Sequence, residues 1–139
     1  GILSPLGHID PKIWDQVIAV NLSANWRLLR AMDPLLHSSN AGRAIFVTST
    51  VGAEARAYWG AYAVSKAALE MMTRTYAKEI ATTPIRVNLV NPGGTRTQMR
   101  SQAMPGEDPN SLPTPEDRAG VFVDLALPSC TANGQLFTA

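Results

Sequence analysis

The chain has 139 residues, of which 45% are hydrophobic and 17% charged, a composition typical of a folded domain rather than a disordered segment. Its formal net charge is +1, so charge gives no support for nucleic-acid binding. Cys130 is the only cysteine, which excludes a disulfide framework and favours a reducing, cytoplasmic location. His8 and His37 are far apart, and no apolar run approaches the ~18 residues of a membrane span. We therefore predict neither a metal site nor a membrane segment.

The hydrophobic pattern predicts helices that alternate with short strands. Asp10 fits the N-cap of a long first helix, and Pro11 fits its first position. In chain order the predicted elements are helix 10–36, strand 44–47, helix 60–81, strand 85–90, loop 101–115, helix 115–127 and strand 134–139. This alternation predicts βαβ units and a parallel sheet. Since three strands make a small sheet, we interpret the chain as the C-terminal portion of a doubly wound, Rossmann-like α/β domain.

Polar runs follow the first two predicted strands, "TST" at residues 48–50 and "NPGGTRT" at residues 91–97. Open α/β sheets bind ligands at the carboxyl ends of their strands, so both runs are candidate site segments. The hydroxyl of Ser49 can donate a hydrogen bond to a carbonyl oxygen, and Gly93 and Gly94 allow close approach to the backbone. Taken separately, Ser49 could equally cap a strand, and "NPGG" could be an ordinary turn.

Tyr62 and Lys66 in "YAVSK" are four residues apart, so they share one face of the second helix. A nearby ammonium favours the phenolate, so we expect Lys66 to lower the pKa of Tyr62. A tyrosine of this kind can pass a proton to a developing alkoxide. An isolated Tyr–Lys pair is more often an ordinary helix surface. Asn21 stands within the apolar stripe of the first helix, where a buried amide must find partners.

Together these motifs resemble the short-chain dehydrogenase/reductase family over nearly the whole chain. The family runs from an Asn on a long helix to a Ser after a strand, a Tyr-x-x-x-Lys helix and a Pro-Gly turn with a Thr nearby. The matching segments here are "VNLSANW", "IFVTSTVG", "YAVSK" and "NPGGTRTQM", in the same order. "YWGAYAVSK" and "NPGGTRTQMR" also resemble a bacterial subgroup of oxidoreductases of unassigned substrate. The opening "GILSPL" resembles the segment directly after the family's Asn-Ala-Gly turn, which would end at Gly1.

The resemblance implies hydride transfer between a nicotinamide, NAD or NADP, and a carbonyl or alcohol substrate. Tyr62 would be the acid in reduction and the base in oxidation, and Lys66 would hold the nicotinamide ribose. Ser49 would orient the substrate oxygen, and Asn21 would position a water that connects Lys66 to solvent. The residues expected to line the nicotinamide end are Pro92, Gly93, Thr95 and Thr97.

The sequence departs from the family pattern in two ways. Thr95 stands where Val or Ile is usual, and Gly94 replaces a residue that is commonly bulkier. The family's glycine-rich phosphate turn has no counterpart in this chain, and neither does the residue that selects between NAD and NADP. We therefore expect this chain alone to be an inactive fragment that neither binds a nicotinamide cofactor tightly nor turns over substrate.

The resemblance also bears on partners. The family usually forms homodimers or tetramers through its two long helices, and the stripe from Trp14 to Leu35 fits either a core or such an interface. The segment 99–114 is where the family builds its substrate lid, and Arg96, Met99, Arg100 and Met104 could face substrate there. A non-catalytic relative that serves as a binding or assembly module is the alternative, although all four catalytic positions hold competent residues.

Overall fold

The computed structural model describes residues 3–139, and its helices and strands follow the predicted alternation. They are α1 (Pro11–Ile18), α2 (Ala24–Ser38), β1 (Arg43–Val47), α3 (Gly60–Glu79), β2 (Arg86–Asn91), α4 (Gln98–Ala103), α5 (Ala119–Ala126) and β3 (Leu136–Thr138). Short 3₁₀ turns cover Leu6–His8, Thr50–Gly52, Pro109–Ser111 and Glu116–Arg118. Gly1, which the resemblance assigns to the Asn-Ala-Gly turn, lies outside the described residues.

The helix predicted over residues 10–36 contains a π-helical turn in its middle. It begins as predicted, because the Asp10 carboxylate accepts a hydrogen bond of 2.8 Å from the Lys12 amide. A π-helical turn over Ala19–Ser23 then separates α1 from α2. Such a turn inserts a residue and changes which side chains face the neighbouring elements, and it occurs frequently at functional sites. The chain therefore stays helical from Pro11 to Ser38, as the sequence predicts, with a local change to π-helical hydrogen bonding at the turn that contains Asn21.

The three strands form one parallel sheet in the order β1–β2–β3, which confirms the predicted α/β class. Phe46 of β1 pairs with Leu89 of β2, which pairs in turn with Leu136 of β3. β2 is the central strand and its Leu89 is fully buried. Within residues 3–139, β1 is an edge strand, and Val47 is 42% exposed. An edge strand leaves backbone N–H and C=O groups unpaired, so β1 offers an edge to which further strands can pair.

The core lies between the sheet and α3. Leu69 and Tyr76 of α3 pack with Val87 and Leu89 of β2 in one apolar cluster. From another part of the chain, α5 packs against β1 and β2 and buries Leu125. This packing fixes α3 along the sheet, so that the first turns of the helix lie beside the carboxyl ends of β1 and β2.

The segment after β2 is more ordered than the sequence analysis predicts. Residues 101–103, predicted as loop, belong to the last turn of α4. The Thr97 hydroxyl caps this helix by accepting a hydrogen bond of 3.2 Å from the Arg100 amide. Pro105 then prevents the helix from continuing. The helix predicted from residue 115 begins as a 3₁₀ turn and becomes α-helical only at Ala119.

Candidate active site

All eight residues singled out from the sequence line one cavity of about 280 Å³ at the carboxyl ends of β1 and β2. They are Asn21, Ser49, Tyr62, Lys66, Pro92, Gly93, Thr95 and Thr97. Five chain segments contribute to the cavity wall: α1 with the π-helical turn, the ends of the two strands, the start of α3, and α4. Convergence of residues so distant in sequence is a property of the fold, because the strand ends meet at one edge of the sheet.

Tyr62 lies in the first turn of α3 and packs its ring against Trp59, with ring centroids 5.8 Å apart. Burial raises the pKa of the Tyr62 phenol, and a hydrogen bond from the Ser49 side chain acts in the opposite direction. Burial is the larger of the two effects, so the phenol is protonated at neutral pH. Tyr62 is therefore held in the state that can donate a proton.

Lys66 lies one turn after Tyr62, and its ammonium donates a hydrogen bond of 2.8 Å to the carbonyl of Val47 at the end of β1. The ammonium is 5.5 Å from the centroid of the Tyr62 ring. Burial lowers the pKa of Lys66. Burial and the Ser49 hydrogen bond are the two effects that act on the pKa of Tyr62 in this structure, and the expectation that Lys66 lowers it stays a prediction.

Asn21 is bound by a residue that the sequence analysis did not single out. Its carboxamide donates a hydrogen bond of 3.0 Å to the Ser65 hydroxyl, which itself donates one of 2.7 Å to the carbonyl of Tyr62. Ser65 is fully buried in α3. The backbone carbonyl of Asn21 accepts a hydrogen bond of 2.8 Å from the side chain of Asn25. The sequence feature that could have indicated this contact is Ser65 itself, directly before Lys66 in "YAVSK". It is a polar side chain on the face of α3 that packs inward.

The turn after β2 is shaped by Gly93, whose φ of 65° lies in the left-handed region that favours glycine. Its amide donates a hydrogen bond of 3.0 Å to the Asn91 side chain. The Thr95 hydroxyl donates to the carbonyl of Pro92 at 3.2 Å and closes the turn. At Gly94 a β-carbon would approach the side chain of Leu112 to 3.3 Å, which accounts for a small residue at this position.

A buried polar network supports the strand end that carries Ser49. The Thr48 hydroxyl donates a hydrogen bond of 2.8 Å to the Glu70 carboxylate, which also forms a 2.8 Å ion pair with Arg74. Thr48 and Glu70 are both buried. A buried carboxylate is stable only when it is hydrogen-bonded and paired, and both partners are present here. This network cannot be predicted from the sequence, because the positions of Thr48 and Glu70 along the chain do not indicate that β1 and α3 pack together.

The cavity has an apolar wall that the sequence analysis also missed. Its members beyond the residues named from the sequence include Leu3, Ile9, Ile13, Val17, Trp59 and Ala103. Tyr58, also in the wall, adopts a φ of 73°, a conformation that costs a residue with a β-carbon roughly 1–2 kcal/mol. Met99 and Arg100 face the cavity as expected. Arg96 and Met104 do not line the cavity. The guanidinium of Arg96 donates hydrogen bonds to the carbonyls of Pro109 and Leu112 instead.

The described part of the chain shows neither a metal centre nor a membrane span. From residue 3 to residue 139, no three His, Cys, Asp or Glu side chains come together in a way that could hold a metal ion. Over the same residues, every helix is too short or too polar to cross a bilayer.

The model of the short chain dehydrogenase family matches residues 1–108 of this sequence. The chain is 47% identical over 125 residues to the uncharacterized oxidoreductase YciK of Escherichia coli K12, an alignment that covers 90% of this chain and 49% of that protein. It is 32% identical over 142 residues to the dehydrogenase LinX of Sphingobium indicum, which acts on 2,5-dichloro-2,5-cyclohexadiene-1,4-diol. That alignment covers 100% of this chain and 54% of the relative.

Solved structures show the same relationship. A short chain dehydrogenase of Salmonella enterica superposes with a TM-score of 0.95 at 44% identity, over 99% of this chain and 57% of that one. A short chain dehydrogenase of Escherichia coli CFT073 in complex with NADPH gives a TM-score of 0.94 at 43% identity, with the same coverage of 99% and 57%. This chain belongs to the short-chain dehydrogenase family, and the resemblance seen in its sequence is confirmed. The chain spans about half the length of the curated relatives it matches.

Proposed function

We propose that this chain is the catalytic half of an NAD(P)-dependent oxidoreductase that interconverts a carbonyl compound and an alcohol. The observation that carries the proposal is the placement of Ser49, Tyr62 and Lys66 on one cavity at the carboxyl ends of two parallel strands. We use the term complete enzyme for the larger protein that this proposal implies, with a preceding phosphate-binding half. The exposed edge of β1 supports it, because further parallel strands can pair there.

The cavity fits a nicotinamide nucleotide. Gly93 has no side chain, so the turn at residues 92–97 leaves its backbone open to the cavity, and Thr95 and Thr97 place hydroxyls there. Lys66 is the cation that would bind the ribose hydroxyls. When bound, the nucleotide supplies or accepts the hydride. NAD and NADP are both compatible with these residues, and two related bacterial structures contain NADPH and NADP.

Tyr62 handles the proton in this mechanism. In reduction, the substrate oxygen gains negative charge as its carbon receives the hydride, and Tyr62 gives that oxygen its proton. Ser49 donates a second hydrogen bond to the same oxygen and holds the substrate in place. The raised pKa of Tyr62 keeps the proton on the phenol until the substrate oxygen becomes the stronger base. In oxidation, the deprotonated Tyr62 removes the proton from the alcohol.

The π-helical turn would supply the path by which Tyr62 recovers its proton. Asn21 lines the cavity together with Lys66, and its carboxamide is fixed by Ser65. In our proposal Asn21 positions a water between Lys66 and solvent. The rigid anchoring of Asn21 supports this role, because a water site requires partners that do not move.

We also propose that the complete enzyme is a homodimer or tetramer that uses the outer face of α2 and α3. The stripe predicted from Trp14 to Leu35 divides at the π-helical turn: its first half is partly buried in this chain, and its second half is exposed. The exposed large apolar side chains on these two helices are Trp26, Leu28, Met32, Leu35, Val64 and Met71. Light scattering on the complete enzyme measures its mass directly, and a monomer would refute this proposal.

The proposed activity is tested with Tyr62→Phe in the complete enzyme. The substitution removes only the acidic hydroxyl, so we expect NADPH-dependent reduction in a screen of carbonyl compounds to fall by ~10²- to 10⁴-fold. NADPH affinity and melting temperature should stay near those of the wild type. A non-catalytic module, the alternative function, would show no turnover in the wild type and the same partner binding in Tyr62→Phe. A cytoplasmic location and the absence of nucleic-acid partners stay predictions.

A further inference from the structure

Arg100 lines the cavity, and its positive charge is balanced by an ion pair with a neighbouring carboxylate. Its Nε and Nη2 donate hydrogen bonds of 2.6 and 2.7 Å to the two carboxylate oxygens of Glu107. This two-point geometry is the strongest that an arginine makes with a carboxylate. The mutual hydrogen bonds raise the pKa of Arg100 and lower that of Glu107, so both groups are charged at neutral pH. The guanidinium therefore reaches the cavity wall with its charge already balanced.

The remaining cavity wall offers little to a charged ligand. Of the described residues that line it, only Lys66 and Arg100 are cationic and none is a carboxylate. The Lys66 ammonium is bound to the Val47 carbonyl, and in the proposed function it serves the ribose. The rest of the wall is dominated by aliphatic and aromatic side chains. Apolar walls with a few placed polar groups select ligands by shape and by the absence of charge.

Glu107 can be changed without releasing the segment that it belongs to. Arg96 anchors the same segment independently, because its guanidinium donates to the carbonyls of Pro109 and Leu112 at 2.9 and 3.3 Å. The Arg96 amide adds a hydrogen bond of 2.8 Å to the carbonyl of Pro113. The Arg100–Glu107 pair is thus not needed to hold residues 109–113 in place. Its distinctive effect is on the charge that the cavity presents.

We propose that the substrate is an uncharged, mainly apolar carbonyl compound, and that Glu107 determines this specificity by occupying the guanidinium of Arg100. The inference rests on the proposed function, since it concerns the substrate of the same cavity. Glu107 is a positioning residue: it touches Arg100 and not the reacting atoms. Loss of its charge leaves the positive charge of Arg100 unbalanced, so the guanidinium can bind a substrate carboxylate and an acidic carbonyl compound becomes acceptable.

The test compares two aromatic ketones that differ in charge, methyl 4-acetylbenzoate and 4-acetylbenzoate. In the wild-type complete enzyme, kcat/KM should favour the neutral ester. Glu107→Gln keeps the size of the side chain and removes its charge, and the preference for the ester should fall by ~10- to 100-fold, the effect of one hydrogen bond to a charged group. The change should arise mainly in KM for the acid. The double variant Arg100→Met, Glu107→Gln lacks the cation and should return to the wild-type preference.

An unchanged preference in Glu107→Gln would overturn the inference, and so would a gain that persists in the double variant. A parallel measurement does not depend on turnover. The affinities of the two ketones are determined in the presence of NADP⁺ from quenching of tryptophan fluorescence, since Trp59 lines the cavity. The ratio of the two dissociation constants should follow the same pattern across the three proteins. If neither ketone nor any other carbonyl compound is reduced, the proposed function fails, and the binding ratios still decide the role of Glu107.

Discussion

The carboxamide of Asn21 is bound to the hydroxyl of Ser65 across 3.0 Å, and this contact joins the π-helical turn to α3. The same hydroxyl donates to the backbone carbonyl of Tyr62, 2.7 Å away. Ser65 therefore connects Asn21 with the helical turn that carries Tyr62. Ser65 is completely buried, whereas Asn21 is partly buried and also lines the cavity.

Ser65→Ala should reduce the free energy of unfolding of the complete enzyme by ~1–3 kcal/mol, because the Asn21 amide loses its partner inside the protein. Urea denaturation measures the change. Ser101→Ala is a matched control: Ser101 also donates to the carbonyl three residues earlier, at 2.9 Å, but it is exposed on α4. The control should change stability by less than ~0.5 kcal/mol. Equal effects of the two substitutions would contradict the role given to Ser65.

Ser49 should influence the pH dependence of alcohol oxidation through the pKa of Tyr62. Its hydrogen bond favours the phenolate, so it holds the pKa of Tyr62 below the value that burial alone would give. Oxidation requires the phenolate, and its rate rises with pH up to the pKa of Tyr62. In Ser49→Ala that pKa rises further, and the ascending limb of the kcat/KM profile should move to higher pH. Ser49→Thr keeps a hydroxyl and should leave the limb closer to its wild-type position.

A shift of the limb to lower pH in Ser49→Ala would show that Ser49 stabilises the protonated phenol instead. The reductive direction provides an internal check, because it uses the protonated form of Tyr62. Since the pKa of that group is already raised, the decline of reduction should begin only in the alkaline range, above the ordinary tyrosine value of ~10.

Gly52→Ala should destabilise the protein through the buried network beneath Ser49. A β-carbon at Gly52 would lie 2.6 Å from a Glu70 carboxylate oxygen and 3.0 Å from the Thr48 hydroxyl, so the network must shift. We expect a loss of ~1–3 kcal/mol, as for other overpacked interior positions. Gly120→Ala is the control, because nothing lies within 4 Å of its β-carbon and Gly120 is within α5.

The control should stabilise the protein by ~0.5–1 kcal/mol, the usual gain for Gly→Ala within a helix. Thermal unfolding of the complete enzyme distinguishes the two substitutions, since 1 kcal/mol corresponds to roughly 2–4 °C in a protein of 150–250 residues. A stable Gly52→Ala variant would mean that the network around Glu70 is less constrained than the contacts indicate.

The isolated 139-residue chain should bind NADPH far more weakly than the complete enzyme. The cavity holds residues suited to the nicotinamide end, but the chain shows no glycine-rich turn to receive the pyrophosphate. Isothermal titration of NADPH into the isolated chain is the measurement. Micromolar affinity would contradict the proposal that a preceding half supplies the phosphate site. Co-expression with an N-terminal half from a related short-chain dehydrogenase should raise the affinity if that half completes the site.

The sequence by itself determined the α/β class, the order of the elements and the family. The alternation of apolar strands with long helices encodes the parallel sheet, and Gly93 marks a site-lining turn that requires a left-handed backbone. The site residues that follow β1 and β2 could be predicted from the sequence for a related reason. Polar side chains directly after buried strands must lie at the edge of the sheet, where ligands bind.

Only the tertiary structure decided which side chains touch. The partner of Asn21 is a serine on another helix, burial raises the pKa of Tyr62, and Arg100 lines the cavity while its guanidinium is paired with Glu107. The π-helical turn within the first long helix is likewise a feature that the hydrophobic pattern does not indicate. Periodicity describes which face of an element is apolar. Desolvation and hydrogen bonding depend on what the neighbouring elements place against that face, and this is known only once the chain has folded.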